Sequence, residues 1–88
     1  MQQIVPGYRI QATVHQSHKA SIYRAVREVD QHRVVLKTLR TPHPTRGDIA
    51  QLQHEFQLAR RLIDVPGVIR VESFERFGHS VVLVMEDV

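Results

Sequence analysis

The chemistry most plainly written in this sequence is a lysine positioned by a glutamate. Lys37 closes the run Val34-Val35-Leu36-Lys37, whose β-branched and apolar residues read as a strand. Alternation along a strand puts Lys37 on the same face as Val35 and Leu39. An ammonium among apolar side chains is costly unless an anion meets it. Glu55 lies in the next periodic segment. At 100° per residue it falls beside Leu52 and Ala59, at the edge of an apolar stripe. A helix packed on the sheet by that stripe would turn Glu55 toward Lys37. The resulting ion pair would hold the ammonium where it could reach phosphate oxygens. Lysine in strands and glutamate on helices are both common, so the pair alone does not decide. His15 and His18 have a spacing that a metal could use, but no third ligand follows at suitable spacing. Asp64 and Asp87 are single carboxylates without a partner motif.

Those two residues need a sheet and a helix to present them. Residues 8–14, 21–28 and 33–39 read as strands, the last two joined as a hairpin across Asp30-Gln31-His32. In the second, Ile22, Arg24 and Val26 share one face, and Tyr23, Ala25 and Arg27 the other. The period then changes. Ile49, Leu52, Phe56, Ala59 and Ile63 follow helical spacing, with Gln51, Gln53, His54, Gln57 and Arg60 elsewhere on the wheel. Asp48 with Gln51 three residues on reads as a capping box. Pro42 and Pro44 keep the helix from starting earlier, and Pro66-Gly67 stops it. Two further strands, 69–77 and 80–85, meet at Gly78. The order β-β-β-α-β-β, with short links making neighbours antiparallel, predicts an α+β layer: a five-stranded antiparallel twisted sheet with one packed helix.

Length and composition fit that plan. Eighty-eight residues make one small domain, 1–88, and 42% of them are hydrophobic, an ordinary share for a folded chain. There is no cysteine, which fits a reducing compartment and leads us to expect a cytoplasmic location. No apolar run approaches the roughly 20 residues a bilayer span needs, and the first residues do not form a signal peptide, so no membrane association is expected. Net charge is +3, but Arg60-Arg61 is the only adjacent basic pair. Phosphate-tracking surfaces need a denser stripe, so no nucleic-acid partner is expected.

The whole pattern resembles the N-terminal lobe of eukaryotic-type Ser/Thr protein kinases. That family carries a phosphate-binding lysine on a V-A-I-K strand and pairs it with a helix glutamate. Val34-Val35-Leu36-Lys37 and Glu55 match in type and spacing. Ile22-Tyr23-Arg24-Ala25 resembles the family's V-Y-x-A strand, and Leu83-Val84-Met85-Glu86-Asp87-Val88 resembles the last strand and the first hinge residues. A narrower likeness is to the kinase-like domain that opens large bacterial multidomain signalling proteins. It rests on Pro6-Gly7-Tyr8, Val34-Val35-Leu36-Lys37-Thr38-Leu39-Arg40, Pro66-Gly67-Val68 and Leu83-Val84-Met85-Glu86-Asp87.

The resemblance implies an ATP site. Lys37 and Glu55 become its catalytic pair. Ile22, Val35 and Met85 would wall the adenine, with Met85 as gatekeeper. The carbonyl of Glu86 and the amide of Val88 would meet its edge, and Val14, Ser17, Lys19 and Ala20 would line the loop over the phosphates. The family's loop is G-x-G-x-x-G-x-V, and its glycine places fall here on His15, Ser17 and Ala20, none of them glycine. Ser17 and Ala20 are small enough for a reduced approach, and Lys19 and Ser21 could supply side-chain donors. The sequence holds neither an H-R-D-type catalytic loop nor a D-F-G-type metal site. The base and the Mg²⁺ ligands are therefore expected on a second lobe beyond the hinge, and this lobe by itself is not expected to transfer phosphate. The expected partners are that lobe, downstream signalling domains and a second copy meeting the open apolar face near Ile22, Val35 and Met85. Three functions remain open: the ATP-binding half of an active kinase domain, a pseudokinase-like regulatory module with a degenerate loop, and an unrelated α+β interaction domain.

Overall fold

The computed structural model describes residues 5–41, 43–62, 65–67 and 70–87. Its elements follow the expected order: β1 (Tyr8–Gln16), β2 (Ala20–Arg27), β3 (His32–Leu39), α1 (Arg46–Arg61), β4 (Val71–Phe77) and β5 (Ser80–Glu86). The five strands form one sheet in the order β1-β2-β3-β5-β4, and every neighbouring pair is antiparallel. The protein is thus α+β, an open antiparallel sheet with one helix.

The sheet is strongly curled. β1 and β4 are its opposite edges, yet the Tyr8 hydroxyl on β1 donates to Glu75 Oε2 on β4 at 2.9 Å. Register shifts in β1, between Ile10 and Ala12 and between Thr13 and His15, supply local twist. Inside the curl lie Val5, Tyr8, Ala25, Val34, Leu36, Val82 and Val84. On the other face α1 covers a second core of Leu52, Val71, Val81 and Leu83, with Ile49, Phe56, Ala59, Phe74, Leu39 and Met85 packed against it. β5 therefore faces apolar material on both sides. Val81 to Val84 are all between 0% and 4% exposed, which explains an apolar run with no polar alternation.

The helix begins with a different cap from the one the sequence suggested. Thr45 is extended at φ −73°, ψ 166°, and its Oγ1 accepts from the Asp48 amide at 3.1 Å. The Asp48 carboxylate accepts from the Thr45 amide at 3.1 Å. The capping box is Thr45–Asp48, not Asp48–Gln51, because a hydroxyl placed directly after Pro44 reaches the orphan amides first. Gln51 is exposed and takes no part in the cap. Of the expected apolar stripe, Ile63 lies outside the described residues, as do Val68 and Ile69 before β4. The β4–β5 turn uses Gly78 at φ 55°, a conformation a side chain would strain. Among the described residues no helix is long and apolar enough to cross a membrane.

Candidate functional site: a cleft between loop, sheet and helix

Strand pairing decides which side chains share the face under the helix. Ile22 stands opposite Lys37, and Lys37 opposite Leu83. One step along, Arg24 stands opposite Val35, and Val35 opposite Met85. Val34, Leu36 and Thr38 point into the curl and are buried, whereas Val35, Lys37 and Leu39 are half-buried on the helix side. The burial of Leu52 fixes the helix rotation, and Glu55, one turn on, meets Lys37. Lys37 Nζ donates to Glu55 Oε1 at 2.6 Å, with side chains 26% and 40% exposed. An ion pair this open to water contributes about 0–1 kcal/mol to stability. Its main effect is to fix where the ammonium sits.

Beside the pair opens a cleft of about 180 Å³. The β1–β2 loop contributes Ser17, Lys19 and Ala20, β3 contributes Lys37 and Leu39, and α1 contributes Asp48, Gln51, Leu52 and Glu55. Two cations, Lys37 and Lys19, share it with two carboxylates. Asp48, Gln51 and Glu55 follow i, i+3 and i+7 spacing, so they look out from one side of the helix. Sequence reasoning placed Asp48 in the cap alone and missed Gln51 as a lining residue; the i, i+4 relation to Glu55 was the available signal.

The loop above the cleft is a closed turn. The Ser17 amide donates to the Ala20 carbonyl at 2.9 Å, and the Ala20 amide donates to Ser17 Oγ at 3.2 Å. Arg40, at the end of β3, anchors it from behind: its amide donates to the Lys19 carbonyl at 2.8 Å and its guanidinium to the Ser17 carbonyl at 3.0 Å. Two amides that a glycine-rich loop would turn on a ligand are therefore already engaged. Ser21 is 2% exposed and sits opposite Thr38, on the face away from the cleft. It cannot supply the side-chain donor that the sequence suggested.

The cleft thus brings together Ser17, Lys19, Ala20, Lys37 and Glu55. Ile22, Val35 and Met85 share its face of the sheet but lie outside its lining, and Met85 packs partly into the core under the helix. Val14 stands on β1, half-exposed and apart from the cleft. Glu86 ties the ends of β4 and β5 together: its amide donates to the Arg70 carbonyl at 2.9 Å, and its carboxylate accepts from the Arg70 amide at 3.2 Å. Next to it Asp87 pairs with Arg24 at 3.5 Å, a contact the sequence did not announce. Val88 and Asp64 lie outside the described residues. His15 is in β1 opposite Ile22, and among the described residues no three His, Cys, Asp or Glu side chains form a metal-binding group.

A scan against protein-family models finds no match to this chain, and a search of curated proteins finds none either.

Proposed function

We propose that this chain is the ATP-binding half of a Ser/Thr-type protein kinase domain in a signalling protein, in which Lys37 contacts phosphate oxygens and Glu55 holds it in place. The observation that carries this reading is the 2.6 Å contact between Lys37 and Glu55 at the floor of a cleft roofed by the Ser17–Ala20 loop. Support also comes from the row Ile22, Val35 and Met85, half-buried on the same face, which would receive the adenine. A second lobe, or a second copy of the chain, would cover that face. In this reading the base and the Mg²⁺ ligands come from the second lobe, since phosphoryl transfer needs both and these residues supply neither.

One observation favours the second reading, a kinase-like module that regulates or scaffolds without turning over nucleotide. The loop is closed on itself through Ser17 and Ala20, which leaves fewer backbone donors for phosphate. Both readings keep the Lys37 cleft, and they differ in whether the loop opens.

Calorimetry with Mg-ATP separates them. The kinase-half reading predicts weak binding, with a dissociation constant of about 1 mM or weaker, because sub-millimolar affinity needs about 4 kcal/mol or more at the one-molar standard state, more than these contacts supply. Lys37→Ala should abolish it. No heat at several millimolar ATP, with the fold intact by circular dichroism, would leave the regulatory reading.

A further inference from the structure

The sheet face proposed to receive a base is crossed by an ion pair. Arg24 on β2 stands opposite Val35 on β3, and Val35 stands opposite Met85 on β5. Residues directly opposite one another share a face of the sheet. Arg24, Val35 and Met85 therefore form one row, with Ile22 and Lys37 two residues along on the same face. β2 and β5 are not neighbours, because β3 lies between them. Yet Arg24 Nε lies 3.5 Å from Oδ2 of Asp87, the residue after β5. To make that contact the Arg24 side chain has to pass over β3, which at this level presents Val35. The two partners differ in shelter. The Asp87 side chain is 11% exposed and the Arg24 side chain 52% exposed, so the carboxylate is the covered anchor and the guanidinium the solvent-facing end.

We propose that the Arg24–Asp87 pair is a clasp over the base-binding face, closed in this structure, and that Arg24 sets how readily a nucleoside lies on Val35 and Met85. The proposal rests on the reading of this chain as the ATP-binding half of a kinase domain. A flat base on Val35 needs the space that the Arg24 side chain crosses to reach Asp87. While the face is empty, the aliphatic stem of Arg24 covers apolar surface and the guanidinium stays charged and paired. When a base arrives, the guanidinium turns into water, where half of the side chain already lies. An ion pair this exposed is weak, so the clasp tunes affinity and does not forbid binding. The apparent dissociation constant is the intrinsic one divided by the fraction of molecules with the clasp open.

The test is a titration of the 88-residue chain with adenosine, which carries no phosphate and so reads the base face apart from Lys37. Methyl ¹H–¹³C spectra of Ile22, Val35 and Met85 follow the binding. Arg24→Ala and Asp87→Asn should each bind adenosine about three- to fivefold more tightly than the unsubstituted chain, the size an exposed ion pair allows. Exchanging the charges, with Arg24→Asp and Asp87→Arg together, rebuilds the pair and should return the affinity to its original value. Salt supplies a readout that a structural role would not move. Sodium chloride screens the pair, so raising it should tighten adenosine binding more in the unsubstituted chain than in Arg24→Ala. Equal affinity in all four proteins, with shifts at Val35 and Met85, would overturn the clasp and leave the ATP-binding reading standing. No shifts at these methyls in Arg24→Ala, with the fold intact by circular dichroism, would overturn the clasp and the base-binding face together.

Discussion

The two ends of this sheet treat charge in opposite ways. At the end bearing the β2–β3 hairpin, ionic side chains neutralise one another. Arg27 forks onto Asp30 at 2.8 and 3.0 Å and reaches Glu72 at 3.7 Å. His32 meets the same Glu72 at 2.7 Å, and Glu75 accepts from Tyr8 and from Ser73. Contacts from β1, β2 and β3 thus converge on β4 and hold the curl shut. At the loop end Lys19, Arg40, His18, His43 and His79 have no carboxylate within ion-pair distance among the described residues. The energetic lesson is that the first set ties neighbouring strands together, whereas the second contributes little to the fold and leaves its charge facing solvent. The Lys37–Glu55 pair stands between the two regimes, satisfied internally but half-open to solvent.

The comparison breaks first, and with the largest effect, at Glu75. Glu75→Ala removes the part-buried hydrogen bond that the Tyr8 hydroxyl makes across the two edge strands. A hydrogen bond of this kind contributes about 0.5–1.5 kcal/mol, so urea denaturation should show a loss of that size. A change below about 0.3 kcal/mol would mean that the curl does not depend on this contact.

Alkali probes the same end more gently. Burial, with Glu75 next, pushes the Tyr8 phenol up to about 12 from an ordinary 10.0. A group whose folded pKa is raised contributes stability that is complete below the unfolded value and is lost as pH rises through the folded one. Stability should therefore fall between pH 10 and 12, and Tyr8→Phe should remove that part of the decline. Asp30 works in the opposite direction. The hydrogen-bonded Arg27 holds its carboxyl down at about 2, so its contribution is present above pH 4 and disappears as pH falls toward 2. Asp30→Asn should weaken the acid dependence in that window.

The smallest effect is expected at the loop end. Lys19→Ala removes an exposed cation with no carboxylate partner among the described residues, and such surface substitutions stay within about 0.5 kcal/mol. A larger loss in thermal denaturation would move Lys19 from the ligand-facing set into the structural one.

Much of this division was legible in the residues. Strand and helix periods gave the order of elements, and the alternation through Val35, Lys37 and Leu39 gave the face on which Lys37 meets Glu55. The curl was not legible, because it depends on a contact between the two edge strands, Tyr8 to Glu75, that no local pattern encodes. The cap was misplaced by one turn because Thr45 and Asp48 both suit an N-cap, and only the backbone at Thr45 separates them. The clustering of His18, His43 and His79 was equally hidden, since they lie on three turns that only the sheet order brings together. Ser21 was misassigned because alternation puts it on the face opposite Ala20 and Ile22, a distinction invisible when the loop is read as a string.

The central claim is that the Lys37 cleft under the Ser17–Ala20 loop receives the phosphates of ATP. The most direct measurement is a ¹H–¹⁵N spectrum recorded with increasing Mg-ATP at pH 7.5. The account predicts progressive shifts at Ser17, Ala20, Lys37 and Glu55, with residues 28–31 at the opposite end unmoved, and their loss in Lys37→Ala. Shifts that spread evenly over both ends, or that persist in Lys37→Ala, would contradict it.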